Sequence, residues 1–522
     1  MKKTIFYILM CLALGMAACF DDDSTLGKDF IPDIEIGELK DTAMVSYSGH
    51  VLEVTPEVNT RYTEDQLAYA WYIYNSAGTT TTGEAADGYQ KEKIGDGKTL
   101  RYEVNLPSGA YTLVFEATAV EYGYVRTASM QMSVSTNFSK GFYILKSTED
   151  GKTDLDLATK EGLSEDLMTN MLGAPLEGTP LNMSVVYGQC YIDDATQEMA
   201  YDKVLNLFTE KDYRGFRTED MAEVHNRNTI FYESAQDDEV LYGMEQGMMS
   251  TFLFTNKGYY GGTPGGKDWF GGVTVTTGQH GFPVGSGGSR FIQQLEGGYD
   301  GVAYWNEVQR TLCLADYNAV GTTEIEYELP GNMSPETVNC MACGLNYVGG
   351  SETVWFLLKD ASAKRCLLLL SGSRVKKVVL LDASLHIAQA DIVAGNALSA
   401  TIIYVVHDDK LWAYSWDGNN EYEIPLPGVE GKLDYVSNQF LNVGLFGTRT
   451  ENFDALIVGT TQAEKYNLYI FDNMVGGAPQ KAVKPYQGVG RVKSVRYVPS
   501  IQVSLDDFLM AANFGPIAPW TD

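Results

Sequence analysis

Five histidines, seven cysteines and 68 acidic residues are the groups from which this 522-residue chain would have to build catalysis or metal binding. The histidines are His50, His225, His280, His386 and His407; none forms an HExxH motif or another close metal pair. No GxSxG elbow exposes a serine nucleophile. Cys340-Met341-Ala342-Cys343 has the spacing of a redox or zinc pair, but no second CxxC and no His pair completes a tetrahedral site. No βαβ pattern surrounds it either, so buried structural thiols are expected. Gly261 to Lys267 fits GxxxxGK, yet a phosphate loop needs Ser or Thr next to hold Mg²⁺, and here Asp268 follows with no helix pattern behind it. Thr148-Glu149-Asp150-Gly151-Lys152 and Asp237-Asp238-Glu239 lack the ligand spacing of a calcium loop and read as solvated turns. Paired carboxylates for glycoside hydrolysis come from distant strands and leave no local motif. The expectation is a chain with no cofactor, no metal and no catalytic constellation.

Aromatic residues offer a different chemistry. Tyr259, Tyr260, Trp269 and Phe270 lie in a glycine-rich stretch, with Trp305 further along. Sugars present C–H faces that stack on such rings while nearby polar groups bind hydroxyls. These five residues are therefore candidates for a ligand platform on a mobile loop. The competing reading is that the rings pack between sheets and the glycines only make tight turns.

The elements that would position these groups are strands. Tyr (33) and Gly (53) are abundant and Pro (16) is ordinary, the composition of many short strands joined by turns. Sustained helical periodicity is scarce, with Asp154 to Leu172 as the main candidate for helical or irregular structure. From Ile34 to Ser135, short alternating runs surround Trp71, including Ala68 to Tyr74, Leu100 to Val104, Ala110 to Val120 and Val125 to Val134. About seven strands around a central Trp predict an immunoglobulin-like sandwich over 33–136. Thr42 to Val45 and Val51 to Val54 are expected to pair across Ser48-Gly49.

From residue 137 to 522 a looser motif of strand, polar turn, aromatic strand and Asp-rich turn recurs about every 40 to 60 residues, the interval of four-stranded propeller blades. Ile402 to Val406 and Leu411 to Tyr414 pair across His407-Asp408-Asp409-Lys410 in this reading. The stretch has room for roughly six to eight blades. A double sandwich or a large irregular barrel is the competing arrangement. The fold class is mainly β, a sandwich followed by a β-propeller.

The N-terminus reads as an address. Lys2 and Lys3 precede an apolar run, Ile5 to Met16, of about a dozen residues, the length of a signal-peptide core and too short to span a bilayer. Met16-Ala17-Ala18-Cys19 follows and resembles a lipobox, which implies lipidation of Cys19 and removal of residues 1–18. Several acyl chains on one residue anchor stably, since each buried CH₂ contributes about 0.8 kcal/mol. Residues 19–32 then form an acidic tether, and Phe20-Asp21-Asp22-Asp23 resembles the tag of surface lipoproteins in the Bacteroides group. The formal net charge is −30, and losing Lys2 and Lys3 takes it to −32. So acidic a chain repels phosphate backbones, which excludes nucleic acid as an expected partner.

Trp71 within Tyr69-Ala70-Trp71-Tyr72-Ile73, and the later run Pro107-Ser108-Gly109-Ala110-Tyr111-Thr112-Leu113-Val114-Phe115, resemble the PKD-like domain, an immunoglobulin-type sandwich. With the lipobox before it and the β-rich region after it, the chain resembles PKD-like family lipoproteins of Bacteroidota. That resemblance implies an outward-facing outer-membrane lipoprotein that binds or scaffolds, associated with a SusC/SusD-type transporter for glycan or peptide uptake. The alternatives are a surface glycoside hydrolase or lyase with carboxylates on a propeller rim, and a structural adhesin. New reducing ends from a polysaccharide panel would single out the hydrolase or lyase, and cell attachment without small-ligand affinity the adhesin.

Overall fold

The computed structural model describes residues 33–46, 51–76, 91–104, 106, 109–193, 197, 199–231, 237–246, 250–262, 283–284, 287–295, 301–317, 319, 321–348, 351–396, 400–441 and 453–498. Strands dominate them, and the chain divides into two compact units between Asn137 and Phe138.

The first unit is an immunoglobulin-like sandwich. One five-stranded sheet runs in the order Thr42–Val45, Tyr124–Ser135, Gly109–Ala119, Leu67–Asn75, Glu92–Asp96. Val51–Val54 pairs with Leu100–Glu103, and Ile34–Ile36 with Val58–Thr60. Along Leu67–Asn75, Trp71 and Ile73 are buried while Tyr72 and Tyr74 are less so, the period-2 pattern of a strand with one face on a core. Trp71 is fully buried, sits opposite Phe115 in the register, and meets its ring at 4.9 Å. The expected hairpin between Thr42–Val45 and Val51–Val54 is not formed. Thr42–Val45 joins Tyr124–Ser135 in parallel, and Val51–Val54 joins Leu100–Glu103. Placing them in different sheets lets Met44 and Leu52 both reach the one core around Trp71.

The second unit is a seven-bladed β-propeller. Its described residues form seven four-stranded antiparallel sheets, each in sequence order from the axis outward except one. The inner strands of blades 2 to 7 are Pro180–Ile192, Leu241–Gln246, Ile292–Leu295, Asn339–Val348, Ile392–Gly395 and Lys432–Leu441. In blade 1 the inner strand is the last described one, Arg491–Val498, which pairs with Gly141–Ser147, followed by Thr153–Thr159 and Gly162–Ser164. The first and last described strands of the unit thus share one sheet, which closes the ring.

Each pair of consecutive blades encloses its own apolar cluster. Blades 1 and 2 share Tyr143, Leu155, Leu205 and Phe216; blades 4 and 5 share Trp305, Val354 and Leu368. At the closure, Ile144 and Val495 of blade 1 pack on Ile457 and Leu468 of blade 7. Both faces of most blades are therefore covered, which explains near-continuous apolar runs such as Arg365–Ser371, where period-2 alternation is lost. The strand Thr153–Thr159 occupies the segment expected to be helical or irregular; its Asp and Leu residues alternate, but the polar face is buried too, with Asp156 on Lys146 and Tyr466, and only Leu167–Leu172 is helical there.

The closure also carries a buried charge cluster. Lys146 of blade 1, almost fully buried, places Nζ 2.7 Å from Asp156 Oδ1 and 2.8 Å from Asp166 Oδ1. Tyr466 of blade 7 donates its hydroxyl to Asp156 Oδ2 at 2.6 Å, and the Asp166 N–H donates to Asp156 Oδ1 at 2.8 Å. Burial alone would push the ammonium pKa down; the two carboxylates outweigh it and hold the pKa above the usual lysine value.

Candidate central binding cavity

The inner strands meet around a cavity of about 360 Å³, within the range of small-ligand sites. All seven blades contribute to its wall: Asn182, Glu245, Gln293, Cys343, Ser437 and Arg496 each come from a different inner strand, and blade 6 adds Val393, Ala394 and Gly395. Arg290 also reaches the wall from just before its blade's inner strand.

Several polar groups of this wall are held by hydrogen bonds, some within a blade and some to a neighbouring blade. Arg496 Nε donates to the Met183 carbonyl at 2.8 Å, joining blade 1 to blade 2. The Tyr435 hydroxyl accepts the Val495 N–H at 2.9 Å and donates to Ser437 Oγ at 2.9 Å, joining blade 7 to blade 1. Arg290 is held by Glu307 through Nε–Oε1 at 3.1 Å and Nη2–Oε2 at 2.9 Å, a bidentate pair that leaves its orientation little freedom. Beyond these residues, buried amides stitch the inner strands together. Gln246 clamps both the N–H and the carbonyl of Tyr187, at 2.9 and 2.8 Å, and Gln294 donates to the Gln246 carbonyl. Asn346 donates to the Ile402 carbonyl at 3.1 Å, and Gln439 accepts the Tyr497 N–H at 3.2 Å.

Blade 6 lines the cavity with backbone, through Val393, Ala394 and Gly395. On blade 5, Gly344 lies flat against the buried Trp355 indole, and a Cβ there would stand 2.5 Å from Trp355 Cζ2. Replacing Gly344 with Ala is expected to lower stability by about 1–3 kcal/mol through overpacking, read as a lower denaturant midpoint.

Cys340 and Cys343 are free thiols on the inner strand of blade 5. A bulge sets Cys340 opposite Leu358 and Ala342 opposite Leu357, so Met341 is the extra residue. Cys343 lines the cavity and packs against the apolar cluster between blades 4 and 5; its Sγ donates to the Ile292 carbonyl at 3.5 Å, while burial, aided by the Glu245 charge, pushes its pKa up to about 12. Cys340 is pushed well above the usual thiol value, chiefly by burial. Protonated thiols of this kind are poor nucleophiles and poor metal ligands. The cavity wall therefore offers two guanidinium groups, one carboxylate, amides and hydroxyls, a set suited to hydrogen-bonding a polar molecule.

The aromatic platform is corrected by the structure for the residues it describes. Tyr259, 1% exposed, packs between blades 3 and 4 against Phe254 and Tyr304, and donates its hydroxyl to the Gly321 carbonyl at 2.5 Å. Tyr260 turns the other way, meeting Phe231 edge-on at 4.9 Å between blades 2 and 3 and donating to Glu239 Oε1 at 2.7 Å. Trp305 is fully buried between blades 4 and 5. Alternate residues of one strand face opposite blades, so neither tyrosine keeps a free ring face for a sugar. Trp269 and Phe270 lie outside the described residues, as does Cys19. Glu239, read as part of a solvated turn, is instead buried and holds both Tyr260 and Thr255.

The cavity residues themselves were not anticipated. Their one sequence cue is polarity inside a strand, as in Tyr435-Val436-Ser437-Asn438-Gln439 within Lys432–Leu441.

Residues 19–180 match the PKD-like family. The PKD-like match covers the sandwich and runs on into the first propeller strands. No curated protein matches the chain. Among solved structures, a quinonprotein alcohol dehydrogenase-like protein from Bacteroides thetaiotaomicron aligns at 13% identity over 88% of this chain and 96% of its own, with a TM-score of 0.39. A DUF4784 family protein from Bacteroides caccae aligns at 9% identity over 75% and 95%, with a TM-score of 0.30. The dihydro-heme d1 dehydrogenase NirN aligns at 11% identity over 74% and 73%, with a TM-score of 0.34.

Proposed function

We propose that this protein is a lipid-anchored surface lipoprotein of a Bacteroidota outer membrane, whose propeller binds a small polar ligand, a glycan or peptide fragment, in its central cavity. In this reading it serves a SusC/SusD-type uptake system as a binding or scaffold component. The observation that carries the reading is the cavity itself, walled by all seven inner strands and lined by polar groups of which Arg496, Tyr435 and Gln439 are held by inter-blade hydrogen bonds. Preorganised donors and acceptors favour binding because little side-chain freedom is lost when the ligand arrives. The leader ending at Cys19 and the PKD-like match support the location. A hydrolase acting in this cavity would need two carboxylates flanking the scissile bond, and the described wall carries one, Glu245. The experiment is a screen of the mature chain on glycan and peptide arrays. A saturable ligand class supports the proposal, and silence across both arrays together with no envelope partner in pull-downs overturns it.

A further inference from the structure

Blade 6 brings together two histidines that are distant in sequence. His386 opens the short turn His386–Ala388 ahead of the inner strand, and His407 ends the second strand, Ile403–His407. Glu421, nearly buried in the fourth strand, grips the first of them. Its Oε2 accepts the His386 N–H at 2.8 Å and approaches His386 Nδ1 at 2.9 Å, while Oε1 accepts the Ile387 N–H at 2.8 Å. A carboxylate already accepting two backbone N–H groups requires the proton on Nδ1, so the neutral ring keeps its lone pair on Nε2. The ring cannot swing away, because it stacks on Trp412 at 3.9 Å with planes 20° apart.

His407 is positioned by the tight turn after it. Asp408 and Asp409 have φ of 51° and 57°, the left-handed pair of a type I′ hairpin, and Asp408 Oδ2 lies 3.5 Å from His407 Nε2. That contact leaves Nδ1 as the other ring nitrogen. The two imidazole centres are 5.0 Å apart with planes tilted by 50°. Two imidazoles sharing one ion, at a metal–nitrogen distance of about 2.0–2.1 Å and a tetrahedral angle, place their ring centres roughly 5 Å apart. Metal-binding histidines characteristically give their second nitrogen to a carboxylate, which fixes tautomer and orientation. Here His386 has such a carboxylate in Glu421, an Asp408 oxygen lies 3.5 Å from His407 Nε2, and both imidazole side chains are about a quarter exposed. The surrounding charge is negative, from Asp408, Asp409 and Glu421; Lys410 pairs with Glu423 at 2.8 Å.

We infer that His386 and His407 form a site for a divalent transition metal ion on blade 6, beside Trp412. Imidazole donors select zinc, copper or nickel over calcium or magnesium. No group of three or more His, Cys, Asp or Glu side chains suited to a metal occurs among the described residues, so the protein supplies two ligands and water or an added donor completes the shell. The ion is accordingly exchangeable. This site is separate from the central cavity and stands whether or not a ligand binds there.

The test is calorimetric titration of the mature chain with zinc chloride, paired with electron paramagnetic resonance of the copper(II)-loaded chain. One ion per chain and nitrogen couplings from two imidazoles are expected. His386→Ala and His407→Ala should each remove one coupling and weaken zinc binding by about tenfold or more, and Glu421→Gln by about 10–100-fold with both histidines still present. Circular dichroism checks that each variant is folded, and the couplings in the unaltered chain report on the site independently of any variant. No binding at millimolar zinc, or binding unchanged in both single histidine variants, overturns the inference.

Discussion

Replacing Lys146 with Met is expected to destabilise the propeller by about 3–5 kcal/mol, the effect of leaving a buried charge without its partner. Asp156 would remain buried inside the closing blade, with Tyr466 and a backbone N–H as donors but no cation. The double variant Lys146→Met/Asp156→Leu should regain most of that loss, because an apolar pair of similar volume often replaces a buried ion pair at little net change. Urea denaturation followed by tryptophan fluorescence measures both, since Trp305 and Trp355 are buried in the propeller. Equal losses in the single and double variants would mean that Lys146 acts through packing alone. The position matters because blade 1 is assembled from both ends of the unit. Tyr466 binds Asp156 from blade 7, so the cluster joins the first and last blades as well as pairing charges.

The second large effect concerns the anchor. Cys19→Ala is expected to abolish incorporation of an alkynyl fatty acid into the protein in cells and to move the mature chain out of the detergent phase on Triton X-114 partition. A lone acyl chain binds membranes only reversibly, with an association constant of about 10⁴ M⁻¹, whereas several chains on one residue hold firmly. Removing all of them should therefore change partition by orders of magnitude. Label retained on the Cys19→Ala protein would place the lipid elsewhere and remove the basis for the proposed location.

Much of the architecture is legible in the residues themselves. Trp71 with alternating neighbours announces a sandwich core, and it is the fully buried centre of one. His407-Asp408-Asp409-Lys410 announces a hairpin, and Ile403–His407 pairs with Lys410–Ser415 across it. Both rest on local physics, either side-chain period or turn conformation. What was not legible depends on partners far away in the chain. Thr153–Thr159 alternates Asp and Leu, but both of its faces are buried, and the partners of the polar face include Tyr466 of blade 7. Thr42–Val45 and Val51–Val54 look like a hairpin because they are adjacent, but their true partners lie some way downstream. Closure by Arg491–Val498 joins the two ends of the unit, a contact for which no short segment gives a cue.

The candidate site divides in the same way. Clustered aromatics drew attention to Tyr259, Tyr260 and Trp305, yet large apolar rings are what inter-blade cores need, and the structure uses them there. The cavity is instead built from one or a few residues per inner strand. Glu245, Ser437 and Arg496 are spread over some 250 positions and converge only through the radial symmetry of the fold. His386 and His407 likewise looked like isolated residues, since their common partner, the face of blade 6 around Trp412, exists only after the strands pair.

The central claim is that the cavity among the inner strands is where the ligand binds. Ser494 lines it, on the inner strand of blade 1. Calorimetric titration of the array-selected ligand into the unaltered chain and into Ser494→Trp, side by side, tests the claim most directly. The prediction is a one-to-one complex with the unaltered chain and no detectable binding to the variant, with the thermal midpoint of the propeller unchanged. Equal affinity in the two proteins, with the indole filling the cavity, would contradict it.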